Sequence, residues 1–397
     1  MQTPVSPLQS DFGEVAAQQL EHIAARAQEI EQLRKLPQDL VERLADLGLY
    51  NLCNPPAFGG HAQSPRVYAE VVETLATADA SVAWCCFIGI TSSFSMASSN
   101  SPVVREILQR PGTIAAGVFA PTGRSRRAEQ DGQTGFRVSG RWSWGSGSQN
   151  AGWVSVGTLL EDDQGEIVRD DEGKPVYLAC ILDARDITFA DNWRVMGLQG
   201  TGSTDFEVEG VFVPGDRSYS QAGSRLGTPP DDPIFLFPNF GMLGIGIAAT
   251  ALGTARAAID DVVALARSKT PQGASKTLVQ KPATAVDVAR AESHLRAGRT
   301  FFYESIDTAW QGALDGNVTT THRRDLRLAI THAVHEAKRA IDLAHELAGG
   351  TSVYSRSPIQ RRFRDVHVMT QHMMVNQATY ELVGRLFLGL PTNTDQL

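Results

Sequence analysis

The sequence has few cysteines, and their spacing suits neither a metal site nor a disulfide framework. Four occur in 397 residues, Cys53, Cys85, Cys86 and Cys180, and no two are spaced as C-x-x-C. Adjacent residues such as Cys85 and Cys86 are poorly placed to bridge each other. A cysteine–histidine spacing typical of zinc sites is also absent. We therefore expect reduced thiols in a cytoplasmic protein, with no bound metal.

Clustered positive charge and long apolar runs are also lacking. The net charge is -8, and the Lys and Arg residues are dispersed along the chain or interleaved with acids. Binding a nucleic-acid backbone needs a clustered basic face, so we expect no nucleic-acid partner. No basic leader followed by an apolar run is evident, and no segment is predicted to reach the ~20 apolar residues of a membrane span. We therefore expect no membrane association.

Several short catalytic motifs are missing as well. There is no Walker sequence, no G-x-S-x-G and no H-E-x-x-H. Gly244, Gly246 and Ala249 match a dinucleotide-binding fingerprint only loosely, and no strand–helix–strand unit surrounds them. We interpret these small residues as a site of close helix packing. Residues 200–203 (G-T-G-S) are predicted to form a turn between strands rather than a phosphate-binding loop.

The order of predicted elements indicates an α+β fold. A chain of this length with 42% hydrophobic residues can bury more than one core. Apolar periodicity predicts one helix over residues 12–34, another from Pro37 to Gly48 and a third over residues 65–78. Short β-rich runs follow until about residue 213, and helix returns after a proline-rich linker. The predicted domains are an N-terminal helical domain at 1–112, a central β domain at 113–225 and a C-terminal helical domain at 226–397.

Residues 343–390 contain the polar side chains that we consider first for chemistry. The Gly-Gly pair at 349–350 is predicted to end one helix with a left-handed cap. A second helix is predicted to open near Arg361 and to run without interruption through His372 and past Tyr380. On a helical period His372 then lies on a partly apolar face. An imidazole in that position is either a packed core histidine or an acid/base group.

Over nearly its whole length the chain resembles the acyl-CoA dehydrogenase family. The resemblance rests on three segments whose residues and spacing match family motifs. They are residues 44–49 (L-A-D-L-G-L) with Pro55 and 58–60 (F-G-G), residues 196–203 (M-G-L-Q-G-T-G-S) with Val213 and Pro214, and the spacing from Gly-Gly at 349–350 to Arg-Asp at 364–365. The resemblance implies an N-terminal helical domain, a central β-barrel or sandwich, and a C-terminal four-helix bundle.

The family's catalytic base is missing from this sequence. A dehydrogenase needs a carboxylate to take the α-proton of its substrate while the flavin takes a hydride. Counted from the Arg-Asp pair at 364–365, the usual Glu falls at Met373, which cannot accept a proton. The other position that the family uses lies on the first bundle helix, and no Asp or Glu occurs between Asp232 and Asp260.

A branch of the same fold, the two-component flavin monooxygenases, has motifs similar to those that remain. Residues 140–147 (G-R-W-S-W-G-S-G) resemble its strand, in which the serine at Ser146 lies over the flavin ring. Residues 119–124 (F-A-P-T-G-R) resemble the preceding loop, and His372 matches a histidine kept beside the flavin. The resemblance implies a homotetramer that uses diffusible reduced FMN or FAD from a separate NAD(P)H-flavin reductase, with O2 as co-substrate.

The activity implied is that of a monooxygenase. It would hydroxylate, or oxidise at nitrogen or sulfur, an aromatic or polycyclic small molecule through a hydroperoxide at the flavin C4a carbon. Two alternatives remain open at this point. One is a dehydrogenase-type flavoenzyme with a non-standard base, and the other is a scaffold of the same fold that binds no flavin.

The same resemblance assigns roles to particular residues. His372 and Ser146 are the predicted catalytic residues, and Trp142 is either a core residue or a wall of the flavin site. An apolar lining suits a flat aromatic substrate, and Phe87, Met369 and Met373 are the predicted pocket residues. The predicted cofactor-binding residues are Phe119, Pro121, Thr122, Trp144, Ser146, Arg267, Gly349 and Gly350.

Overall fold

The computed structural model describes residues 11–220, 231–395 and 397, so part of the predicted proline-rich linker lies outside the described residues. The first part of the chain is helical and packs around one apolar core. The helix predicted over residues 65–78 is confirmed. The N-terminal helices are α1 (Phe12–Ala17), α2 (Leu20–Ala25), α3 (Ala27–Leu33), α4 (Gln38–Asp46), α5 (Pro65–Ala78), α6 (Ala80–Ala97) and α7 (Pro102–Gln109).

The single helix predicted over residues 12–34 is wrong, because α1, α2 and α3 are separate. At the first break the Gln19 backbone N–H bonds to Ala16, three residues back, at 3.0 Å. The carbonyl of Val15 thereby loses its helical partner, and the buried side chain of Gln19 donates to it at 3.3 Å. A side chain that satisfies a backbone carbonyl competes with the helical ladder, so the helix stops there.

The central part of the chain is one seven-stranded mixed sheet with the order β5-β6-β2-β1-β3-β4-β7. β1 and β3 pair in parallel, and the other neighbours are antiparallel. Residues 119–122 bulge out of the β1–β3 ladder, because the register shifts between Val118 and Gly123. The strands are β1 (Ala115–Gln130), β2 (Gln133–Trp142), β3 (Trp153–Glu161), β4 (Tyr177–Asp183), β5 (Thr188–Phe189), β6 (Phe206–Pro214) and β7 (Ser218–Ser220).

The C-terminal part is a helical bundle in which α8 lies against α5, α6 and α10. As predicted, α10 ends at the Gly-Gly pair, and its cap Gly349 has φ 49°. The predicted fold, helical, then β, then helical again, is confirmed. The helices are α8 (Asn239–Ser268), α9 (Pro282–Leu314), α10 (Thr320–Ala348), α11 (Pro358–Met369) and α12 (Ala378–Phe387).

The uninterrupted helix predicted through His372 is also wrong. α11 ends at Met369, and residues 370–377 form a series of turns before α12 begins. Side chains replace the missing helical bonds in this segment. The Met374 backbone N–H donates to His372 Nδ1 at 3.2 Å, and the Ala378 N–H donates to Asn376 Oδ1 at 3.1 Å. Polar side chains that bind nearby backbone groups favour turns over helix.

Two helices, α6 and α8, are long and apolar enough to cross a membrane by length and composition. We predicted no such segment, so that expectation is wrong as a statement about composition. In both helices 94% of the apolar window is buried inside the fold. Burial of this kind is what the core helices of a soluble protein show.

The small residues of α8 allow the helices to approach closely, as the sequence predicted. A Cβ atom added to Gly246 would lie 2.3 Å from Phe87 Cγ and 2.4 Å from the Tyr68 hydroxyl oxygen. At Gly244 it would lie 2.9 Å from Ile330 Cδ1. These glycines therefore set the distances from α8 to α5, α6 and α10.

Replacing Gly246 should consequently destabilise the protein. We expect Gly246→Ala to lower the free energy of unfolding by about 1–3 kcal/mol, because the new methyl group overlaps Phe87 and Tyr68 in a packed core. The measurement is the midpoint of urea unfolding. Gly384→Ala in α12 is the matched control, since its methyl group meets no atom within 4 Å. The control should be neutral or stabilising by up to ~1 kcal/mol. Equal midpoints for Gly246→Ala and wild type would contradict the packing role.

Candidate functional site

A row of buried hydroxyl groups joins the N-terminal helices to the sheet. Trp84 of α6 donates its indole N–H to Ser146 Oγ at 3.2 Å. Ser146 Oγ lies 2.6 Å from Ser203 Oγ, which lies 2.6 Å from Thr201 Oγ1. Thr201 Oγ1 in turn donates to the Leu198 carbonyl at 2.9 Å. We call Ser146, Ser203 and Thr201 the hydroxyl row.

The protons of the hydroxyl row follow one direction once the Thr201 proton is placed on the Leu198 carbonyl. A hydroxyl group carries a single proton, and that of Thr201 is used on the Leu198 carbonyl. Ser203 must therefore donate to Thr201, and Ser146 must donate to Ser203. Ser146 accepts from Trp84, whose indole nitrogen is a donor only. Consequently Ser146 Oγ faces its surroundings as a hydrogen-bond acceptor with one lone pair left.

The segment that carries Ser146 also presents an exposed aromatic ring. Trp144 is 75% exposed and has φ 62°, a left-handed conformation that is strained for a bulky residue. The Ser146 backbone N–H donates to the Trp144 carbonyl at 2.8 Å, which closes the turn. Strain combined with an exposed apolar ring is typical of a binding site.

The predicted residues Phe119, Pro121 and Thr122 lie together on the bulge of β1. Thr122 is exposed, and its hydroxyl donates to the Arg141 carbonyl of β2 at 2.8 Å. That bond holds the bulge against the strand that leads to Trp144. Phe119 and Pro121 are half-buried. The structure therefore keeps the bulge and the Trp144 turn on adjacent strands.

His372 lies in the turns after α11, next to Trp84. The two rings are 5.9 Å apart between centroids and meet edge to face at 64°. His372 Nδ1 accepts the Met374 backbone N–H at 3.2 Å. In the neutral ring the proton must then be on Nε2, because an acceptor nitrogen carries none. Nε2–H has no acceptor among the described residues and can donate to a ligand.

The imidazole of His372 is held neutral. Burial lowers its pKa to about 4, and the positive charge of Arg327 adds to that effect. At physiological pH His372 offers an Nε2–H donor and carries no charge.

α11 is tied to the loop that carries the hydroxyl row. The Leu198 backbone N–H donates to Asp365 Oδ1 at 2.6 Å. A Cβ atom on Gly197 would lie 2.3 Å from the Arg364 carbonyl, so only glycine fits there. Asp365 is fully buried, and burial first and the nearby charge of Asp79 second raise its pKa to about 7. The Arg-Asp pair recognised in the sequence thus positions the loop before β6.

Three predicted cofactor residues lie elsewhere in the chain. Arg267 is exposed in the last turn of α8, and Gly349 and Gly350 are exposed at the end of α10. Lys269, which follows α8, donates to the Ala348 carbonyl at 2.5 Å, so these residues share one end of the bundle. At 1.5 Å per residue, Gly349 is roughly 30 Å along α10 from Arg327, beside which His372 lies. The structure does not bring them to Ser146 within one chain.

The predicted pocket residues differ in exposure. Phe87 and Met369 are fully buried, whereas Met373 is 53% exposed. Phe87 packs against Trp84 with 4.8 Å between ring centroids. Trp142, which the sequence left open, is fully buried and donates to the Gly157 carbonyl at 2.9 Å, so it is a core residue. Trp144 alone of the two tryptophans is available to a ligand.

The sequence did not indicate four members of this site. Trp84 lies in an apolar run, and Thr201 and Ser203 were interpreted only as part of a turn. Arg327 of α10 sits among helical positions that are otherwise apolar or small, since Ile330, Thr331 and Val334 follow at i+3, i+4 and i+7 and are buried. A charged residue on a buried stripe is a usable signal, because such residues are almost never fully buried without a partner.

No carboxylate of the described residues forms a hydrogen bond or an ion pair with His372, Ser146 or Trp84. Their hydrogen bonds are with one another, with Ser203 and with backbone, and the Trp84 ring also packs against His372 and Phe87. A general base for removing a carbon-bound proton is therefore lacking at this place. This agrees with the loss of the family's carboxylate at Met373.

Comparison with known sequences matches both ends of the chain to one family. The family model described as "Acyl-CoA dehydrogenase, N-terminal domain" matches residues 9–99, and "Acyl-CoA dehydrogenase, C-terminal domain" matches residues 245–377. An indole-3-acetate monooxygenase of Pseudomonas putida is 31% identical over 92% of this chain and 90% of its own. The oxygenase component of an FADH2-dependent resorcinol hydroxylase of Rhizobium sp. is 25% identical, over 92% of this chain and 90% of its own.

The fold is also similar to solved structures. The crystal structure of 3-HSA hydroxylase from Rhodococcus sp. RHA1 has a TM-score of 0.86 and 25% sequence identity to this chain. The match covers 98% of this chain and 99% of the hydroxylase. The similarity therefore includes the sheet, the bundle and the loops between them.

The raised pKa of Asp365 predicts a pH-dependent contribution to stability. Because its folded-state pKa of about 7 exceeds the ordinary 3.8, the native state binds a proton more tightly than the unfolded state between these values. The wild type should then lose stability, relative to Asp365→Asn, as pH rises from about 4 to 7. The asparagine keeps an oxygen for the Leu198 N–H.

Unfolding free energies at pH 5 and pH 8 measure this difference. We expect the unfolding free energy of Asp365→Asn, relative to that of wild type, to be higher at pH 8 than at pH 5. Glu381→Gln, an exposed change in α12, is the control. Its unfolding free energy relative to wild type should be the same at both pH values. A relative unfolding free energy of Asp365→Asn that is equal at both pH values would refute the assignment of a neutral, buried Asp365.

Proposed function

Because this chain belongs to the acyl-CoA dehydrogenase family and is the oxygenase component of a flavin-dependent monooxygenase, we propose that its substrate is an aromatic small molecule. A separate NAD(P)H-flavin reductase supplies the reduced flavin, FMNH2 or FADH2. One atom of O2 enters the substrate as a hydroxyl group, or as an N- or S-oxide. The other atom leaves as water and the flavin ends oxidised. Relatives named for indole-3-acetate and resorcinol support an aromatic substrate.

The observation that carries this proposal is the pairing of a neutral His372 with the hydroxyl row at a place without a carboxylate. Hydrogen-bond donors and acceptors there come from Nε2 of His372 and Oγ of Ser146, and Trp84 contacts both residues. Such groups can orient a ring and its oxygen atoms, but they do not include the carboxylate that the family's dehydrogenases use to remove a carbon-bound proton. Oxygen transfer to an electron-rich ring requires positioning of this kind together with exclusion of water.

The residues fit a flavin on an observation of this structure. The exposed indole of Trp144 offers a flat apolar surface, and the free lone pair of Ser146 lies two residues away in the same turn. The bulge with Phe119, Pro121 and Thr122 completes the group of residues that would hold the ring. When bound, a reduced flavin supplies the two electrons that reduce O2 during oxygen transfer.

His372 orients the substrate in this proposal. Its Nε2–H donates to an oxygen atom of the substrate, and the Met374 N–H keeps the ring in that tautomer. Protonation would place a second N–H at Nδ1, against the Met374 N–H. The low pKa caused by burial and by Arg327 prevents this at physiological pH.

We also propose a homotetramer in the cytoplasm. Apolar side chains are exposed beyond the end of α10 that carries Gly349 and Gly350, where Val353 is 78% and Tyr354 57% exposed. Exposed apolar patches mark protein interfaces. Arg267, Gly349 and Gly350 lie too far from Ser146 to share its ligand within one chain. In the tetramer these residues contact the flavin bound by a partner subunit, which accounts for their position. Light scattering of the purified protein measures the number of subunits.

Isotope transfer tests the proposed reaction. Purified protein, chemically reduced FMN or FAD, 18O2 and a panel of phenols and indoles should give product that contains one 18O atom. His372→Ala should lower the rate of product formation by about 10²-fold or more, because the donor to substrate is lost. His372→Gln retains a donor and should recover part of the rate. His22→Ala, at an exposed histidine of α2, is the control.

The pH dependence adds a second readout. With its pKa at about 4, His372 keeps one protonation state above pH 5. The ratio of wild-type to His372→Gln rates should therefore stay constant from pH 5.5 to 8. A change in that ratio with a midpoint near the ordinary histidine value of about 6.5 would overturn the neutral-donor role. Product without 18O would overturn oxygen transfer itself.

The direction of the hydroxyl row predicts a preference for reduced flavin. Reduced flavin carries a proton on N5, which the Ser146 lone pair can accept, whereas the oxidised N5 is itself an acceptor. Ser146→Ala should weaken the binding of reduced flavin by roughly 10-fold and affect oxidised flavin less. Ser203→Ala frees the Ser146 proton and should strengthen the binding of oxidised flavin. Anaerobic and aerobic fluorescence titrations measure both constants, and equal effects on the two redox states would contradict the direction assigned.

A further inference from the structure

Arg327 is a buried cation without a counter-charge. Its side chain is only 4% exposed. In the part of the chain that the structure describes, its nearest polar contact is the Met374 sulfur, 2.8 Å from Nη1. The buried Nε has no acceptor at all. Burial lowers the pKa of Arg327 only to about 10, so the guanidinium remains charged at physiological pH.

Arg362, which is also buried, has hydrogen-bond acceptors for its guanidinium. Arg362 donates from Nε to Asp261 at 2.7 Å and from Nη1 to the Thr77 carbonyl at 3.1 Å. A buried charge is strongly unfavourable unless it is paired and hydrogen-bonded. Arg327 has neither form of compensation. A thioether is a weak acceptor and offsets little of that cost.

The open side of the guanidinium is the edge formed by Nε and Nη2. Nη1, on the other edge, faces Met374. Among residues 11–220, 231–395 and 397, Nε is buried without an acceptor and Nη2 forms no hydrogen bond. Two parallel N–H groups on one edge match the two oxygens of a carboxylate. The covering side chain, Met374, is unbranched and flexible, so it can move when a ligand enters.

Arg327 and His372 share one short segment. The Met374 sulfur contacts Arg327, and the Met374 N–H donates to His372. The positive charge of Arg327 also contributes to the lowered pKa of the His372 imidazole. A ligand that receives a hydrogen bond from His372 can therefore reach Arg327 with a second group.

We propose that Arg327 binds the carboxylate of the substrate, and that the substrate is an aromatic acid rather than a neutral arene. This inference rests on the proposed monooxygenase function and names its substrate class. The aromatic ring lies toward Trp84 and His372, and the carboxylate pairs with the Nε–Nη2 edge. Binding then supplies the counter-charge that the folded chain lacks.

Two matched ring compounds test the charge requirement. Indole-3-acetate is an anion at pH 7.5, and indole-3-acetamide is its neutral counterpart with the same ring. We expect the protein with reduced flavin, under anaerobic conditions, to bind the acid about 10- to 100-fold more tightly than the amide. Arg327→Gln should remove that preference, and Arg327→Lys should keep part of it. Arg339→Gln, an exposed change on the same helix, should leave it intact.

Kinetics and stability separate recognition from a structural role. With the acid as substrate, Arg327→Gln should raise KM at least about 10-fold, and with the amide it should change KM little. Arg327→Met removes an unpaired buried charge and should leave the thermal midpoint of the protein equal to wild type or higher. A purely structural arginine would instead give a lower midpoint and equal losses for both compounds.

The outcomes distinguish the inference from the function on which it rests. Failure of wild type to transfer 18O to any phenol or indole, acidic or neutral, would refute the proposed function. Oxygen transfer to neutral arenes with no preference for the acid would leave that function standing and overturn the role of Arg327. An acid preference that survives in Arg327→Gln would overturn it as well.

Discussion

The site depends on one constraint, which is that each hydroxyl group in the row from Trp84 to Leu198 has a single proton to give. Trp84 comes from α6, Ser146 from the turn after β2, and Ser203 from the loop before β6. Because Thr201 donates to the Leu198 carbonyl, every other member of the row has its direction fixed. Leu198 is in turn held by Asp365 of α11. Separate parts of the fold are thus linked through one chain of hydrogen bonds.

The consequence for function lies in the hydrogen-bonding groups that remain without a partner beside this row. Ser146 is left with an acceptor lone pair beside an exposed Trp144, and His372 is left with a donor beside Trp84. The site therefore offers one acceptor and one donor at fixed positions, with an aromatic surface nearby. Such a site can hold a flavin and a ring substrate in a defined relation without supplying a catalytic carboxylate.

The buried charges near this site also differ from those expected of a dehydrogenase. Where a dehydrogenase would carry a negative charge, this chain has Met373, and a cation, Arg327, lies buried on the neighbouring helix. Burial, with the charge of Arg327 as a second cause, keeps His372 neutral, and the cation gives the region a positive potential. An unpaired buried charge costs stability, and functional sites are where proteins retain such costs. The identity of the residues thus changes the reaction while the fold stays that of the family.

Much of the fold followed from sequence pattern alone. Apolar periodicity located α5, because local spacing decides which face of a helix is buried. Short β-rich runs located the longer strands. Glycines at 244, 246 and 349 marked close packing and a helix end for the same local reason. The breaks at Gln19 and at residues 370–377 were not predicted, because side-chain hydrogen bonds there compete with the helix ladder.

By itself, then, the sequence determined the order of helical and β parts, the loss of the family's carboxylate at Met373, and the candidacy of Ser146 and His372. Only the tertiary structure decided that Trp84 joins those two residues, that Trp142 is core while Trp144 is exposed, and that Arg327 is buried without a partner. The physical reason is that burial and proton direction depend on groups far apart in the chain. Their contacts form only when α6, the sheet and the bundle pack together.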